Sequence, residues 1–440
     1  MVGEHVPQLS PLRWWSVAVV VVLLVLRPSR TLIVFGLCVA GASGGAHAWT
    51  TPVVATVVEC AGTARLQSDP TPLFGGTRVV LQLDGSRLKA VAHGTAGRRL
   101  AQRSAGESVA VSGMCSPLSG NYTRSDRVRH IVGSIAVQEV TEHFNEGSTA
   151  MRSANRIRDA MQRGVAQMNT KNKSLFTGLV IGDDRLQSRE MVQRFRDSGL
   201  SHLCAASGQN VAYLLSMVAP FIRRRSPRVK WLVTMVVIGW FVILTRAEPS
   251  VLRAGFMAGA VATNAMRRRP MNARVVLAIS VMCLLMVDPM LAWSVGFALS
   301  VGATAGLAWL SAPFGKLFQG RGVLASTLAA QVGTLPISLM VFGSIPVVSL
   351  VANPLALPVA GAVMTVGLPV SLLAATIPAI VGPVSAAMTV PVAWVNGVAH
   401  IASVVSPTGA VNVALWSVVG MWVIRRWRTK RGLRLTAVAG

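Results

Sequence analysis

From residue 202 to residue 424 the chain is a succession of apolar runs, most near the roughly 17–25 residues that cross a bilayer, joined by short polar segments. Within hydrocarbon such a run satisfies its backbone polar groups only as a helix or as part of a closed barrel, and these runs lack the alternation of barrel strands. Hydrophobic residues make up 52% of the 440, more than a soluble domain of this size hides in its core. Apolar runs at 12–26, 31–48, 202–222, 231–245, 250–266, 274–287, 291–311, 323–342, 347–372, 383–404 and 411–424 predict a polytopic α-helical membrane protein of about 11 transmembrane helices. The glycine- and proline-rich stretch 347–404 leaves open a re-entrant segment in place of two clean spans.

Orientation follows from the cations, because lysine and arginine in short joints stay cytoplasmic. Arg27 and Arg30 separate the first two runs. Arg223, Arg224, Arg225, Arg228 and Lys230 follow the third, Arg267, Arg268 and Arg269 the fifth, and Lys316 and Arg321 the seventh. Arg425, Arg426, Arg428, Lys430, Arg431 and Arg434 lie in the tail. The alternate joints carry almost no positive charge apart from Arg246. This predicts a multi-pass cell-membrane protein with 1–48 as two retained helices, 49–200 extracytoplasmic, and 425–440 as a basic cytoplasmic tail. The formal charge of +26 is then mostly a topology signal that also suits anionic lipid head groups. It leaves one stretch unexplained. Arg152, Arg156, Arg158, Arg163, Lys171 and Lys173 stand against Asp159 alone among the acids of 152–173, on the side where the topology rule asks for no cations.

Between 49 and 146 the pattern changes to short alternating runs broken by glycine, proline and aspartate, which is the pattern of strands. Strands are predicted at 52–66, 77–84, 87–94, 108–115 and 130–140, with Asp84-Gly85-Ser86 turning a hairpin. Five strands in about ninety residues fit a small all-β OB-like barrel, followed by a basic linker with short amphipathic helices over 147–200. Such barrels bind oligonucleotides and oligosaccharides, although fold alone assigns no function. Phe74 and Tyr122 are its aromatics between residues 50 and 140, which predicts weak base stacking. Cys60 and Cys115 are its two cysteines, on the oxidising side of the membrane, and are expected to pair; two buried thiols is the alternative. Cys38, Cys204 and Cys283 fall in or beside the apolar runs. No CxxC, HExxH or histidine cluster is present, so neither metal nor cofactor is predicted.

The segment 174–210 reads SLFTGLVIGDDRLQSREMVQRFRDSGLSHLCAASGQN. It resembles the membrane core of the ComEC family of competence proteins, in which a glycine-aspartate loop and a short helix precede a phrase of the form GLSHLLAVSGLHV. The matching positions are Gly182, Asp183, Gly199, Leu200, Ser201, His202, Leu203, Ala205, Ser207, Gly208 and Val211. At Gln209-Asn210 the family usually shows leucine and histidine. EPSVLRAGFMA (248–258), DPMLAWSVGFALSVGATAGL (288–307) and LAAQVGTLPISLMVFGSIPVVSLVANPLALP (328–358) resemble the family's later helices in the same order. The resemblance covers roughly 50–424, with 201–424 as the competence-type channel bundle.

What the resemblance implies is a channel that carries one strand of transforming DNA across the inner membrane. Its partners would be single-stranded DNA, a DNA receptor, a separate nuclease, and a cytoplasmic helicase or ATPase of the competence machinery, with a homo-oligomer left open. The family's frequent C-terminal metallo-β-lactamase-like domain is missing from this sequence, so no nuclease activity is expected of it. Read from the residues, Ser201, His202, Ser207, Gly208, Asn210, Arg253 and Asn353 are expected along the DNA pathway, because polar groups at membrane depth usually face a lumen or a helix interface. Pro336, Pro354 and Pro358 are expected to interrupt two helices. Arg152, Arg156, Arg158, Arg163, Lys171 and Lys173 are expected to capture DNA outside. Ser201 and His202 point about 100° apart on a helix with no third residue to orient a base, so hydrolysis is not expected. The competing reading is a transporter or flippase of another polymer, such as a cell-envelope glycan.

Overall fold

A computed structural model of the chain describes residue 54 and residues 56–118, 123–204, 208–268, 271–318 and 322–436. The expected helices within 1–48, Tyr122 and Ser207 lie outside the described residues. The chain divides into two compact units, one holding Met1–Met161 and Val218–Ala298, the other Gln162–Met217 and Leu299–Gly440.

The first unit carries the barrel. Its elements are β1 (Val58–Leu66), β2 (Thr71–Leu73), β3 (Gly76–Leu83), β4 (Ser86–His93), α1 (Gly94–Ala101), β5 (Ser108–Ser116), α2 (Thr123–Val128) and β6 (Ile131–Asn145). The strands neighbour in the order β1-β5-β6-β4-β3, and β3 returns to β1 through Arg65↔Gln82 and Leu66↔Leu81, which closes the sheet. Only β4 and β6 run parallel among these pairs. This is the five-stranded Greek-key barrel expected from the strand count.

Period-two alternation puts Val79, Leu81, Leu83, Leu88, Ala90, Ala92, Val109, Val111, Ile135 and Val137 into one core. The β3–β4 turn is the predicted one: Leu83 pairs with Ser86, and Asp84 and Gly85 sit at φ 48° and 81°, as a two-residue hairpin of right-handed strands requires. Helix α1 closes one end of the barrel, burying Ala96, Gly97 and Leu100, with the Thr77 hydroxyl donating to the Gly97 carbonyl at 2.8 Å. Cys60 on β1 and Cys115 on β5 form a disulfide, Cα–Cα 5.9 Å, whereas Cys204 and Cys283 are free.

The structure differs from the expected strands at both ends. The first strand starts at Val58 instead of 52, and the last runs to Asn145, five residues past its expected end. The short β2 and the helices α1 and α2 were not expected, and Gly94, expected as the last residue of a strand, opens α1.

The helices that follow are α3 (Thr149–Gly164), α4 (Thr170–Ile181), α5 (Arg189–Asp197), α6 (Ser201–Cys204), α7 (Gly208–Ile222), α8 (Pro227–Leu244), α9 (Pro249–Met266), α10 (Ala273–Val287), α11 (Val295–Leu317), α12 (Gly322–Phe342), α13 (Ser349–Thr376), α14 (Val381–Val404) and α15 (Gly409–Thr436). Helices α8, α11, α12, α13 and the segment Pro378–Val404 are long and apolar enough to cross a membrane; α10 and Gly409–Val423 are shorter apolar helices. The chain is thus a helical membrane protein with an N-terminal β domain.

Local signals explain several of these boundaries. Asn169 caps α4 by accepting from the Asn172 amide, and Gly182 ends it at φ 72°. Ser226 and Asn272 cap α8 and α10 in the same way, and Pro227 and Pro249 open α8 and α9. Within the first unit α8 and α9 run antiparallel, Trp231 donating to Thr263 at 3.0 Å while Gly255 and Gly259 face Ile238 and Met235.

The prolines do not interrupt as expected. Pro336 lies inside α12, and Pro354, Pro358 and Pro369 lie inside the unbroken α13. A proline removes one ladder bond, but in apolar surroundings no water competes for the rest, so the helix continues. The irregular backbone lies before α13, at 343–348.

Candidate functional site: a polar seam in the helical bundle

In the second unit, Gln331 on α12 donates its side-chain amide to the Ser349 hydroxyl, at the first residue of α13. Gln331 is eleven residues short of the end of α12, about 17 Å along its axis. The segment 343–348 therefore turns back alongside the helix before α13 begins. Its backbone is satisfied from α15: Asn412 donates to the Ile345 carbonyl at 2.9 Å and accepts from the Val347 amide at 3.0 Å, and the Trp416 indole donates to Ile345 at 2.8 Å. Non-helical backbone among membrane helices is stable only with partners of this kind.

Residues one helical turn apart share a face, so Thr327 continues the line of Gln331, and Asn353 continues that of Ser349. Three of these four side chains hold a buried oxygen with no hydrogen-bond partner among the described residues: Thr327 Oγ1, Gln331 Oε1 and Asn353 Oδ1. Asn353 is 5% exposed. A buried acceptor left unmet costs about 1–3 kcal/mol, so a seam with three of them calls for water or a polar passenger. The oxygens accept N–H donors, including those of bases, while the amide groups and the hydroxyl can donate to phosphate.

Other residues brace this seam. Gly199, at φ 73°, lies against Ser349, where an added Cβ would come within 2.5 Å of the serine Cβ. That contact joins the GLSHL phrase to the start of α13. Gly302 and Gly306 on α11 meet Gly333 and Ala329 on α12 backbone to backbone, the close crossing that small residues permit. Asn210 is buried and donates to the Leu179 carbonyl at 3.0 Å, at the end of α4. Gln209 donates to the Tyr213 hydroxyl at 2.9 Å, and that ring packs on Gly361.

Of the residues expected along a pathway, Asn353 is in the seam. Ser201 and His202 are exposed on α6, two and three residues from Gly199, and Gly208 is half-buried at the start of α7. Asn210 holds helices together. Arg253 belongs to the first unit, buried on α9, where it donates to Met257 Sδ at 3.1 Å. Thr327, Gln331, Ser349 and Asn412 were not singled out from sequence. The spacing of four in Thr327/Gln331 and in Ser349/Asn353 was the available signal.

The residues expected to capture DNA lie on or beside two helices, with Arg152, Arg156, Arg158 and Arg163 on α3 and Lys171 and Lys173 on α4. Arg156, Arg163 and Lys171 are exposed and Lys173 is half-buried. Arg152 pairs with Glu146 at 3.4 Å.

Arg158 is corrected outright, because its guanidinium is buried inside the first unit. Asp69, in the β1–β2 connection, holds Arg246 by Nε at 2.9 Å and Nη2 at 2.7 Å, holds Arg158 Nη2 at 3.1 Å, and accepts from the Ala105 amide at 2.9 Å. Arg158 also donates to the Leu244 carbonyl at 3.0 Å, and Asn155 accepts from Arg246 at 2.7 Å. A carboxylate in a barrel loop thus ties the barrel to α3 and to the α8–α9 turn. This accounts for Arg246, the one cation on the alternate joints. A second tie links His130 to Asp288, after α10, at 3.1 Å.

Comparison with known proteins bears on the second unit most. ComE operon protein 3 of Bacillus subtilis (strain 168) is 29% identical over 181 residues, which is 40% of this chain and 23% of that protein. The aligned part is therefore under a quarter of that relative's length. No solved structure matches. The sequence model described as Competence protein matches residues 179–429, more than half of the chain, taking in the α4 terminus, the GLSHL phrase, the seam and the α15 residues that hold the 343–348 segment. The chain belongs to the Competence protein family.

Proposed function

We propose that this protein moves single-stranded DNA across the cell membrane during natural competence, by conduction without covalent chemistry. The observation that carries the reading is the seam: three buried oxygens without partners, between two membrane helices, beside a segment of non-helical backbone. Polar groups in a bundle interior mark substrate pathways more often than chance packing, and membrane transporters place substrate where a helix is discontinuous. Family membership and the similarity to ComE operon protein 3 support a role in DNA uptake. A DNA receptor, a separate nuclease and a cytoplasmic helicase or ATPase are the partners this reading requires, and a homo-oligomer is compatible with it.

The barrel faces the extracytoplasmic side in this reading. Asp69–Arg246 and His130–Asp288 tie it to the α8–α9 turn and the end of α10. Arg223, Arg224, Arg225, Arg228, Lys230, Arg267, Arg268 and Arg274 cluster at the opposite ends of α8, α9 and α10, which supports a cytoplasmic position for those ends.

The test is Asn353→Leu and Gln331→Leu. Asn353→Leu removes an unmet buried acceptor in favour of an apolar group, so thermal stability in detergent should hold or rise by about 1 kcal/mol; Gln331→Leu removes one too but also loses the bond to Ser349, so its stability should change by under about 1 kcal/mol. Entry of labelled DNA into the cytoplasm should fall about tenfold or more, since a lost polar partner raises the barrier by about 1–3 kcal/mol. Wild-type uptake by both variants at normal abundance would show that the seam is only helix packing.

A further inference from the structure

The barrel presents one large apolar side chain that nothing covers. Phe74 is 102% exposed, at the tip of the β2–β3 hairpin. Leu73 pairs with Gly76, so Phe74 and Gly75 are the whole turn, and Gly75 takes it at φ 71°, where a side chain would be strained. The tip is pinned. The His93 ring meets the Gly75 carbonyl at 3.0 Å through Nδ1, and the Thr71 hydroxyl donates to the Arg78 carbonyl at 3.1 Å.

The charged side chains of the hairpin strands nearest this tip, and the first of α1, are arginines. Arg78 leaves β3 opposite Thr71, His93 ends β4, and Arg98 follows on α1; all three are exposed. Among the described residues no acid pairs with Arg78 or Arg98. Along β3 and β4 themselves the first acid is Asp84, at their far end, roughly 25 Å away at strand rise; on β6, Glu139 lies two residues past Val137, the partner of Ala92. Phe144, another exposed aromatic of the barrel, differs in both respects. Arg103 covers its ring at 3.8 Å, and Glu142 and Glu146 are its chain neighbours.

A rigid, naked aromatic ring among cations is the chemistry that receives unpaired bases: the ring stacks a base and the cations follow the phosphates. Aromatic rings also anchor proteins at lipid head groups. Two features favour nucleic acid. The hairpin lies in the β1–β3 connection, one of the loops by which barrels of this topology take oligonucleotides, and the cations beside it are not needed to hold the ring in lipid. We propose that Phe74 is the base-stacking post of a single-stranded DNA capture site, with Arg78, His93 and Arg98 as its phosphate contacts. This rests on the DNA-uptake reading above.

The test uses the full chain in nanodiscs with a fluorescein-labelled oligothymidylate, and every variant is first checked for Cys60 and Cys115 resisting thiol reagents, which reports an intact barrel. Phe74→Ala and Phe74→Leu should each weaken binding about tenfold at unchanged salt dependence, and Phe74→Trp should bind within about twofold of wild type. Arg78→Gln with Arg98→Gln should lower both the affinity and the salt slope, by about 0.7 per charge. Wild-type affinity in Phe74→Leu would mean that the ring makes an apolar contact and does not stack, which overturns the proposal. Brominated-lipid quenching of Phe74→Trp beyond that of the wild type, whose eleven tryptophans give the baseline, would identify a membrane anchor and overturn it too. Absence of binding by the wild-type chain would instead remove the capture reading itself.

Discussion

Replacing Asp69 is the sharpest perturbation of the first unit, because one buried carboxylate there answers two guanidiniums and a backbone amide. Taking away one member of a buried ion pair costs about 3–5 kcal/mol, most of it the burden of a charge left unanswered. Asp69→Ala strands Arg158 and Arg246 together and should sit near 5 kcal/mol; Asp69→Asn keeps an acceptor oxygen and should sit near 3. Arg246→Gln leaves Asp69 still paired with Arg158, so its loss should be about that of one charge-assisted bond, roughly 1.5–3 kcal/mol. Combining Asp69→Asn with Arg246→Gln removes one charge of each sign and should recover about 1.5–3 kcal/mol relative to the sum of the two single changes. Native-state hydrogen exchange at amides 67–69, 105–107 and 244–248 reads the opening of this junction directly. If Asp69→Ala alters that opening by under about 0.5 kcal/mol, or the two changes simply add, the cluster is hydrated and the barrel is held in some other way.

Two further outcomes concern the barrel alone. Opening Cys60–Cys115, which spans 55 residues, should lower its stability by about 4 kcal/mol through the freed unfolded chain; a melt unchanged by reductant, or ready thiol labelling without it, would contradict this. Glu107 is half-buried with one carboxylate oxygen unpartnered, and desolvation raises its pKa above the usual carboxylate value, against the lowering effect of the Ser104 hydrogen bond and Arg103. Its folded form holds the proton more tightly, so its contribution to stability is full below the ordinary carboxylate pKa and is lost as pH rises through the raised one. Glu107→Gln should therefore stabilise the protein at neutral pH and leave it unchanged in acid, as pH-dependent melting would show.

Patterns that act locally were legible in the sequence. Strand alternation and Asp84-Gly85 located the barrel because side-chain period and turn dihedrals are properties of neighbouring residues. Nine apolar runs from 202 onward fall on helices for the same reason. The spacing of basic joints was legible too, apart from Arg246, whose partner Asp69 lies 177 positions away. The capture set failed at Arg158 on that account, since a cation counted in a linear stretch looks solvated until the carboxylate that buries it is known. The seam was half visible. Asn353 stood out beside its prolines, whereas Gln331 became notable only when the 343–348 segment was seen to bring Ser349 back to it. Proline was overread, because the rule that it breaks helices comes from chains in water.

Arg246 also bears on orientation. Counted as a free cation, it argues weakly against placing the α8–α9 turn outside, because positive charge in short joints favours the cytoplasm. Its charge is not free. Asp69 neutralises it within a cluster to which the barrel contributes the only carboxylate among the described contacts, so the turn and the barrel must share one side of the membrane whichever side that is. The opposite ends of α8, α9 and α10 carry eight cations: Arg223, Arg224, Arg225, Arg228, Lys230, Arg267, Arg268 and Arg274. None of the described salt bridges involves Arg223, Arg224, Arg225, Arg228, Lys230, Arg267 or Arg268. With Arg246 removed from the count, the asymmetry of free cations across these helices no longer argues against the extracytoplasmic placement of the barrel proposed above.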